Sequence, residues 1–79
     1  MMKRIVTYDV KKGNDYQAFY DYVEECNGEA ITESTYLLNS DLKQNGFEDK
    51  LRQVFNKGDN VAYISVNDKN VLFYKKINI

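Results

Sequence analysis

The order of strand-like and helix-like segments limits the fold of this chain more than any other feature. The sequence reads as strand, helix, long strand region, helix, strand and strand. Two helices on one face of a four- to five-stranded, mainly antiparallel sheet accommodate this order, because each helix and the sheet must bury an apolar side. The chain has no repeat, low-complexity segment or linker. It is therefore predicted to be a single α+β domain, a ferredoxin-like sandwich over residues 1–79.

The first part of the chain supplies one strand and one helix. Residues 3–10 are rich in β-branched and aromatic types and lead into a polar turn at 11–14. A helix is predicted to begin at Asn14 or Asp15, either of which is a good N-cap, and to stop at Gly28 in the C′ position. Its apolar residues recur at three- and four-residue spacing and form one face: Tyr16, Phe19, Tyr20, Val23 and Cys26.

The middle of the chain combines strand composition with a second helix. Residues 29–39 are long for one strand and are interrupted at Glu33 and Ser34, so one bent strand or two short strands are expected. Residues 40–46 are predicted to form a loop. The helix that follows ends near Lys57 and Gly58, and its apolar stripe consists of Phe47, Leu51, Val54 and Phe55.

The C-terminal part is predicted to be a β-hairpin. Residues 60–66 alternate between two faces, and residues 71–77 form a second apolar and aromatic run. The polar segment 67–70 between them is typical of a turn. These two strands complete the predicted sheet.

Composition argues against several classes of protein. Eleven basic residues face twelve acidic ones, for a net charge of −1, so no overall positive field draws the chain to nucleic acid or anionic membrane. The absence of histidine and the lone Cys26 do not favour a zinc site or an internal disulfide. No apolar run approaches the ~18 residues of a membrane span. We expect a cytoplasmic protein that does not contact the membrane.

Several predicted strands carry apolar residues on both faces. Ile5 lies opposite Val6, and Phe73 lies opposite Leu72 and Tyr74. A domain of this size buries only about 60% of the surface of its unfolded chain, and an uncovered apolar sheet face usually marks an interface. We therefore expect a homodimer, joined sheet to sheet or edge to edge.

Asp9 is the best single candidate for chemistry, since it follows a β-branched strand that would deliver its carboxylate to the lip of the sheet. Mg²⁺ binds hard oxygen ligands, often one or two carboxylates with waters, and a dimer would supply two copies of Asp9. The alternative is that Asp9 accepts backbone N–H bonds in an Asx-turn before Lys11 and Lys12. Without histidine, proton transfer would fall to metal-bound water, Tyr8 or another carboxylate.

The order and spacing of several short motifs resemble a known family. A strand ends in Tyr8-Asp9-Val10, a helix closes on Asn27-Gly28, and a strand carries Thr32-Glu33-Ser34-Thr35-Tyr36, followed by an amphipathic helix and two closing strands. This chain is similar over essentially its whole length to the small CRISPR-associated adaptation proteins of the second Cas family and to the related VapD-type toxin ribonucleases. The resemblance implies a dimer of ferredoxin-like subunits that acts on RNA or DNA.

The resemblance also implies roles for individual residues. Asp9 would lie near its symmetry mate, hold a divalent metal and take part in phosphodiester cleavage. Ser34 matches the serine of the family, with Tyr36 as the aromatic residue two positions on. The chain differs from the family pattern in lacking the arginines that often follow the first-strand aspartate.

The nucleic-acid contacts predicted around Asp9 each have a plainer alternative. Lys11 and Lys12 would hold a phosphate backbone, or else they are a solvated turn. Tyr8 would stack on a base, or else it packs in the core. Ser34 would contact nucleic acid as its family match implies. Two functions follow, a Mg²⁺-dependent nuclease that uses Asp9, and a non-catalytic dimeric interaction or regulatory protein on the same scaffold.

Overall fold

The computed structural model describes residues 2–66 and 70–79, and of Val71 and Leu72 it describes the backbone alone. The predicted turn at 67–70 therefore lies, apart from Asn70, outside the described residues. Strands and helices follow in the predicted order. They are β1 (Met2–Tyr8), α1 (Gln17–Glu25), β2 (Glu29–Thr32), β3 (Thr35–Ser40), α2 (Gln44–Val54), β4 (Asn60–Val66) and β5 (Val71–Asn78).

The strands form one antiparallel sheet in the order β2-β3-β1-β4-β5. β1 is the central strand, and it pairs with β3 on one side and with β4 on the other. β2 and β5 are the edges, each paired with its neighbour in sequence. This arrangement confirms the predicted α+β ferredoxin-like sandwich, with β5 added at the edge beyond β4.

Both helices cover the same face of the sheet, and the core lies between them and that face. Alternate residues of β1 and β4 point into the core, including Val6, Val61 and Tyr63, all of them buried. α1 contributes Phe19, Tyr22 and Val23, and α2 contributes Phe47 and Leu51. We call the uncovered side of the sheet the open face. It carries the other alternate residues, among them Ile5, Thr7, Leu37 and Ile64, which are half-buried or exposed.

The ends of α1 differ from the prediction. The helix begins at Gln17, whose N–H donates to the Asp15 carboxylate over 2.8 Å. At the other end Asn27, not Gly28, adopts the left-handed conformation, with φ of 50°. The N–H groups of Asn27 and Gly28 bond to the Glu24 and Val23 carbonyl oxygens at 3.1 and 2.9 Å. Such a pair of bonds is a Schellman motif, in which Asn can replace Gly at C′.

The remaining boundaries shift by a few residues. The long strand region is two strands, because Glu33 and Ser34 form the turn between them, as one of the two predicted alternatives stated. The predicted loop at 40–46 is too long, since α2 already begins at Gln44, and α2 ends at Val54, before the predicted stop at Lys57 and Gly58. β1 ends at Tyr8 rather than Val10. Within the residues described, no helix is long and apolar enough to cross a membrane.

Candidate functional site

Asp9 lies at the exposed end of the central strand, on the open face. Its N–H donates to the carbonyl oxygen of Asn60 over 3.1 Å and so extends the pairing of β1 with β4 by one residue. A cleft of about 440 Å³ begins beside it and is lined by open-face residues that include Thr7, Ala62 and Lys76. Within residues 2–66 and 70–79 the Asp9 carboxylate forms no ion pair or hydrogen bond. It is therefore available to a ligand.

Lys11 and Lys12 follow Asp9 but differ in their surroundings. The Lys11 ammonium donates a hydrogen bond to the carbonyl oxygen of Gly58, and its backbone N–H donates to the Tyr16 hydroxyl over 2.8 Å. Lys11 therefore ties the end of β1 to the loop after α2. Both lysines are exposed, but the Lys12 ammonium forms no hydrogen bond or ion pair with another described residue.

Ser34 lies at the same end of the sheet as Asp9, because β3 runs antiparallel to β1. Its carbonyl oxygen accepts a hydrogen bond from the Tyr8 N–H over 3.1 Å, and its own N–H donates to the Thr32 hydroxyl over 3.4 Å. The residue is half-buried in the turn between β2 and β3. Its described contacts hold that turn against β1.

Tyr8 lies on the opposite side of the sheet from Asp9. The residue is 4% exposed, and its ring centroid lies 4.9, 5.4 and 5.0 Å from those of Tyr16, Phe19 and Phe55. Its hydroxyl donates to that of Tyr20 over 3.3 Å, and burial raises the pKa of the phenol well above its ordinary value. The ring is part of the core, the plainer of the two predicted alternatives, and it is covered where a base would have to stack.

A single chain offers few ligands for a metal at this end of the sheet. Among the residues described, no three acidic or cysteine side chains gather closely enough to hold an ion. One aspartate fits Mg²⁺, which keeps several waters and uses one or two carboxylates. A second carboxylate would have to come from another copy of the chain.

One carboxylate that organises this end of the molecule, Asp59, was not predicted from the sequence. Asp59 is completely buried. Its carboxylate accepts hydrogen bonds from the side chains of Asn14 and Tyr16 at 2.9 and 3.1 Å, and from the N–H and side chain of Asn56 at 2.8 and 3.1 Å. Its carbonyl oxygen also accepts the N–H of Ile79 over 2.8 Å. Asp59 thus links the start of α1, the end of α2 and the C-terminus.

The four donors also set the charge state of this carboxylate. Burial alone would raise the pKa of Asp59, but the hydrogen bonds from Asn56, Asn14 and Tyr16 outweigh it and hold the pKa below its ordinary value. Asp59 is therefore ionised and fully bonded, which is typical of a structural group. In the sequence it resembles an ordinary turn aspartate after Gly58, and no periodic pattern distinguishes it.

Glu48 is the second buried carboxylate that sequence analysis missed. It is 5% exposed on the inner side of α2 and accepts hydrogen bonds of 2.7 Å from both the Tyr63 hydroxyl and the Lys75 ammonium. Burial would raise its pKa, but the bonds from Lys75, Tyr63 and Gln44 lower it overall. Its position next to Phe47 in the apolar stripe was the available signal. This network fastens α2 to β4 and β5.

The fold and the placement of Asp9 define the chain as a small α+β protein of ferredoxin-like architecture with a solvent-facing carboxylate at the end of its central strand. Comparisons with protein-family models, with curated proteins and with solved structures give no match. The case for a function therefore rests on the physical chemistry of the open face and of Asp9.

Proposed function

We propose that this protein is a homodimer joined through the open faces of its two sheets, and that the paired Asp9 carboxylates bind Mg²⁺ and act on a phosphodiester of RNA or DNA. The observation that carries the proposal is the position of Asp9, exposed on the open face of the central strand.

The dimer is supported by an apolar row across the open face. In the pairing register Leu37, Ile5, Ile64 and Tyr74 are successive neighbours on β3, β1, β4 and β5. Tyr74 is 70% exposed. The uncovered face of an antiparallel sheet is usually polar, so an apolar row there favours a covering partner. A second copy presents the same row, as a two-fold interface requires.

Charge at the two edges of the open face favours one orientation of the second copy. Glu29 of β2 shares the face of its pairing partner Leu37, and Lys76 of β5 shares that of its partner Ala62. A two-fold axis between the sheets and parallel to β1 places the β2 edge of one copy over the β5 edge of the other. Glu29 of one copy then faces the edge of the second copy that carries Lys76. A two-fold axis perpendicular to the strands would instead place each edge over the same edge of the second copy, so that like charges would face each other.

The same axis brings the two Asp9 residues together. β1 is the middle strand of five, so it lies nearest the axis, and a rotation about that axis keeps the Asp9 end at the same end of the dimer. Packed sheets lie about 10 Å apart. Two carboxylates would then project into this gap from opposite sides, which supplies the second ligand that a single chain lacks.

The chemistry assigns a limited role to each residue. Paired Asp9 side chains would hold the metal, and a bound Mg²⁺ would polarise a phosphodiester oxygen and lower the pKa of its water. Lys12 is an exposed cation in the turn after Asp9 and would attract the phosphate backbone. Lys11 would position the turn that carries Lys12, since its ammonium is bonded to Gly58.

Dimerisation is tested by sedimentation equilibrium on Ile64→Lys, with Leu42→Lys as its control. Leu42 is 44% exposed and lies outside the open face. The wild-type chain and Leu42→Lys should sediment at twice 9.3 kDa, and Ile64→Lys should sediment at 9.3 kDa while it keeps its circular dichroism spectrum. A monomeric wild type would refute the dimer.

Cleavage is tested with the wild-type dimer, Asp9→Asn and Asp49→Asn on labelled single-stranded RNA and DNA with Mg²⁺ or Mn²⁺. Asp49 is an exposed aspartate on α2 and serves as the matched control. Cleavage should be lost in Asp9→Asn and kept in Asp49→Asn. Cleavage that survives in Asp9→Asn would come from a contaminant and would refute the role of Asp9.

A non-catalytic interaction or regulatory dimer is the second candidate. The burial of Tyr8 and the engagement of Lys11 favour it, because both remove nucleic-acid contacts that the sequence suggested. It predicts a dimer that neither cleaves nucleic acid nor shows a shift of the Asp9 amide resonance at millimolar Mg²⁺. The nuclease predicts both cleavage and a Mg²⁺-dependent shift of the Asp9 amide resonance, so the two measurements on one protein sample distinguish the two candidates.

A further inference from the structure

A second cleft lies on the helix side of the sheet, at the opposite end from Asp9. Its volume is about 540 Å³, and it is lined by residues from the start of β1, the segment before α2, and strands β4 and β5. Buried Arg4 and Ser65 form its floor, and exposed Asp41, Leu42 and Lys43 form its rim. A cleft of this size is large enough for a small ligand.

Arg4 at the floor of this cleft is a buried cation that pairs with no carboxylate of the described residues. The residue is 2% exposed. Its Nε donates to the Ser65 hydroxyl over 3.0 Å, and its guanidinium carbon lies 4.6 Å from the centroid of the Phe47 ring. In the part of the chain that the structure describes, Nη1 has no hydrogen-bond partner and no carboxylate comes within ion-pairing distance of the guanidinium.

An unpaired buried arginine is costly and calls for an explanation. Arginine keeps its proton in proteins, even though burial lowers the pKa of Arg4. Buried charges are otherwise paired or hydrogen-bonded, because removing them from water is strongly unfavourable. The two N–H groups of Nη1 have no hydrogen-bond partner among the described residues, so an external anion would complete the site.

The start of α2 adds donors at the same cleft. Lys43 is the N-cap residue, and within the described chain no side chain caps the helix and no acidic residue lies in its first turn. The Phe47 N–H reaches the Lys43 carbonyl oxygen at 2.9 Å. The N–H groups of Gln44, Asn45 and Gly46 precede that bond and lack an acceptor within the helix. Backbone N–H groups at a helix N-terminus attract anions, phosphate in particular.

We propose that this cleft binds a phosphate group, held between the Arg4 guanidinium and the first N–H groups of α2. A tetrahedral anion offers oxygens toward both sets of donors at once, and arginine pairs with phosphate through its planar fork. Lys43 at the rim adds a positive charge and Asp41 opposes it, so among the described lining residues Arg4 supplies the uncompensated charge. The site is independent of the dimer, because it lies on the helix side.

The phosphate group could be free or carried on a phosphomonoester, and two probes separate these sources. Sodium phosphate and adenosine 5′-monophosphate are titrated into ¹⁵N-labelled protein, with sodium chloride at matched ionic strength as the blank. Saturable shifts are expected at the amides of Gln44, Asn45 and Gly46 and at Arg4 Nε. Equal affinity for both probes identifies a phosphate site, and tighter binding of the nucleotide identifies a phosphomonoester site.

Arg4→Met and Lys57→Met complete the test. Methionine has a similar shape and removes the unpaired charge, so Arg4→Met is expected to fold with unchanged or higher thermal stability. Its dissociation constant for phosphate should rise at least tenfold, whereas that of Lys57→Met, a change of an exposed lysine after the far end of α2, should not change. The proposal is overturned if Arg4→Met binds phosphate as tightly as wild type, or if the wild-type shifts follow ionic strength or spread over the surface lysines.

Discussion

Replacing Asp59 with alanine is predicted to remove a large part of the stability of this protein. The substitution removes the Asp59 acceptor from the buried Tyr16 hydroxyl and from the part-buried Asn56 N–H, and it also removes the bonds from the Asn14 and Asn56 side chains. Each buried donor left unsatisfied costs about 1–3 kcal/mol. The Tyr16 hydroxyl and the Asn56 N–H together then cost up to about 2–6 kcal/mol.

This loss is large against the stability expected for the whole chain. At about 0.05–0.15 kcal/mol per residue, a domain of this length has a free energy of unfolding of about 4–12 kcal/mol. Urea unfolding followed by far-ultraviolet circular dichroism measures the difference, and Asp15→Ala, an exposed aspartate near the same loop, is a control that should cost less. A loss below about 0.5 kcal/mol for Asp59→Ala would refute the linking role, since surface changes have effects of that size.

The pH dependence of stability tests the same carboxylate. The pKa of Asp59 is lowered in the folded chain, so its stabilising contribution is fully present above the unfolded-state pKa of about 3.9. It is lost as pH falls through the lower, folded value. The free energy of unfolding of the wild type, measured with urea, should therefore fall steadily below about pH 4. The free energy of unfolding of Asp59→Asn should change less with pH over this range. The same pH dependence in both proteins would contradict the role of Asp59.

Three further substitutions test the packing of the fold by urea unfolding. Gly28→Ala is predicted to destabilise the chain by about 1–3 kcal/mol, because a Cβ there would collide with the Leu37 carbonyl oxygen and lie 2.9 Å from Val23 Cγ1; an unchanged midpoint would contradict this. Gly46→Ala should be neutral or stabilising by up to about 1 kcal/mol, since its Cβ would meet Leu42 at an ordinary 3.7 Å, and a loss like that of Gly28→Ala would show that the first turn of α2 is packed differently. Glu48→Gln should cost about 1–3 kcal/mol, because it weakens the bond from buried Tyr63, and a smaller loss than that of a Lys75→Met variant would argue against it.

The sheet and both helices were predictable because their signals are periodic. β-branched residues and alternation marked the strands, and three- and four-residue spacing marked α1 and α2. The helix ends were less predictable, since they depend on local bonds. Asn27 takes the left-handed position after α1. Gly28 is required for a different reason, since the Leu37 carbonyl oxygen approaches it so closely that there is no room for a Cβ.

The candidate site was predictable in position more than in chemistry. Asp9 is exposed at the end of β1 as expected, and Ser34 lies at the same end of the sheet. The Lys11 ammonium is bonded to Gly58, and the Tyr8 ring is buried against Phe55. Both partners are far away in sequence, so neither contact could be predicted. Asp59 and Arg4 were missed for the same reason, since their buried partners lie far away in sequence, whereas the position of Glu48 beside Phe47 in the apolar stripe of α2 was an available signal.

The most direct test of the central claim is whether the two Asp9 positions face each other across the dimer. Asp9→Cys in a Cys26→Ser background is treated with a bifunctional maleimide that spans about 10 Å, the spacing of packed sheets, and Asp49→Cys is treated in parallel. We predict a covalent dimer of twice 9.3 kDa from Asp9→Cys and none from Asp49→Cys. The absence of that dimer, or equal yields from both variants, would contradict the pairing of Asp9.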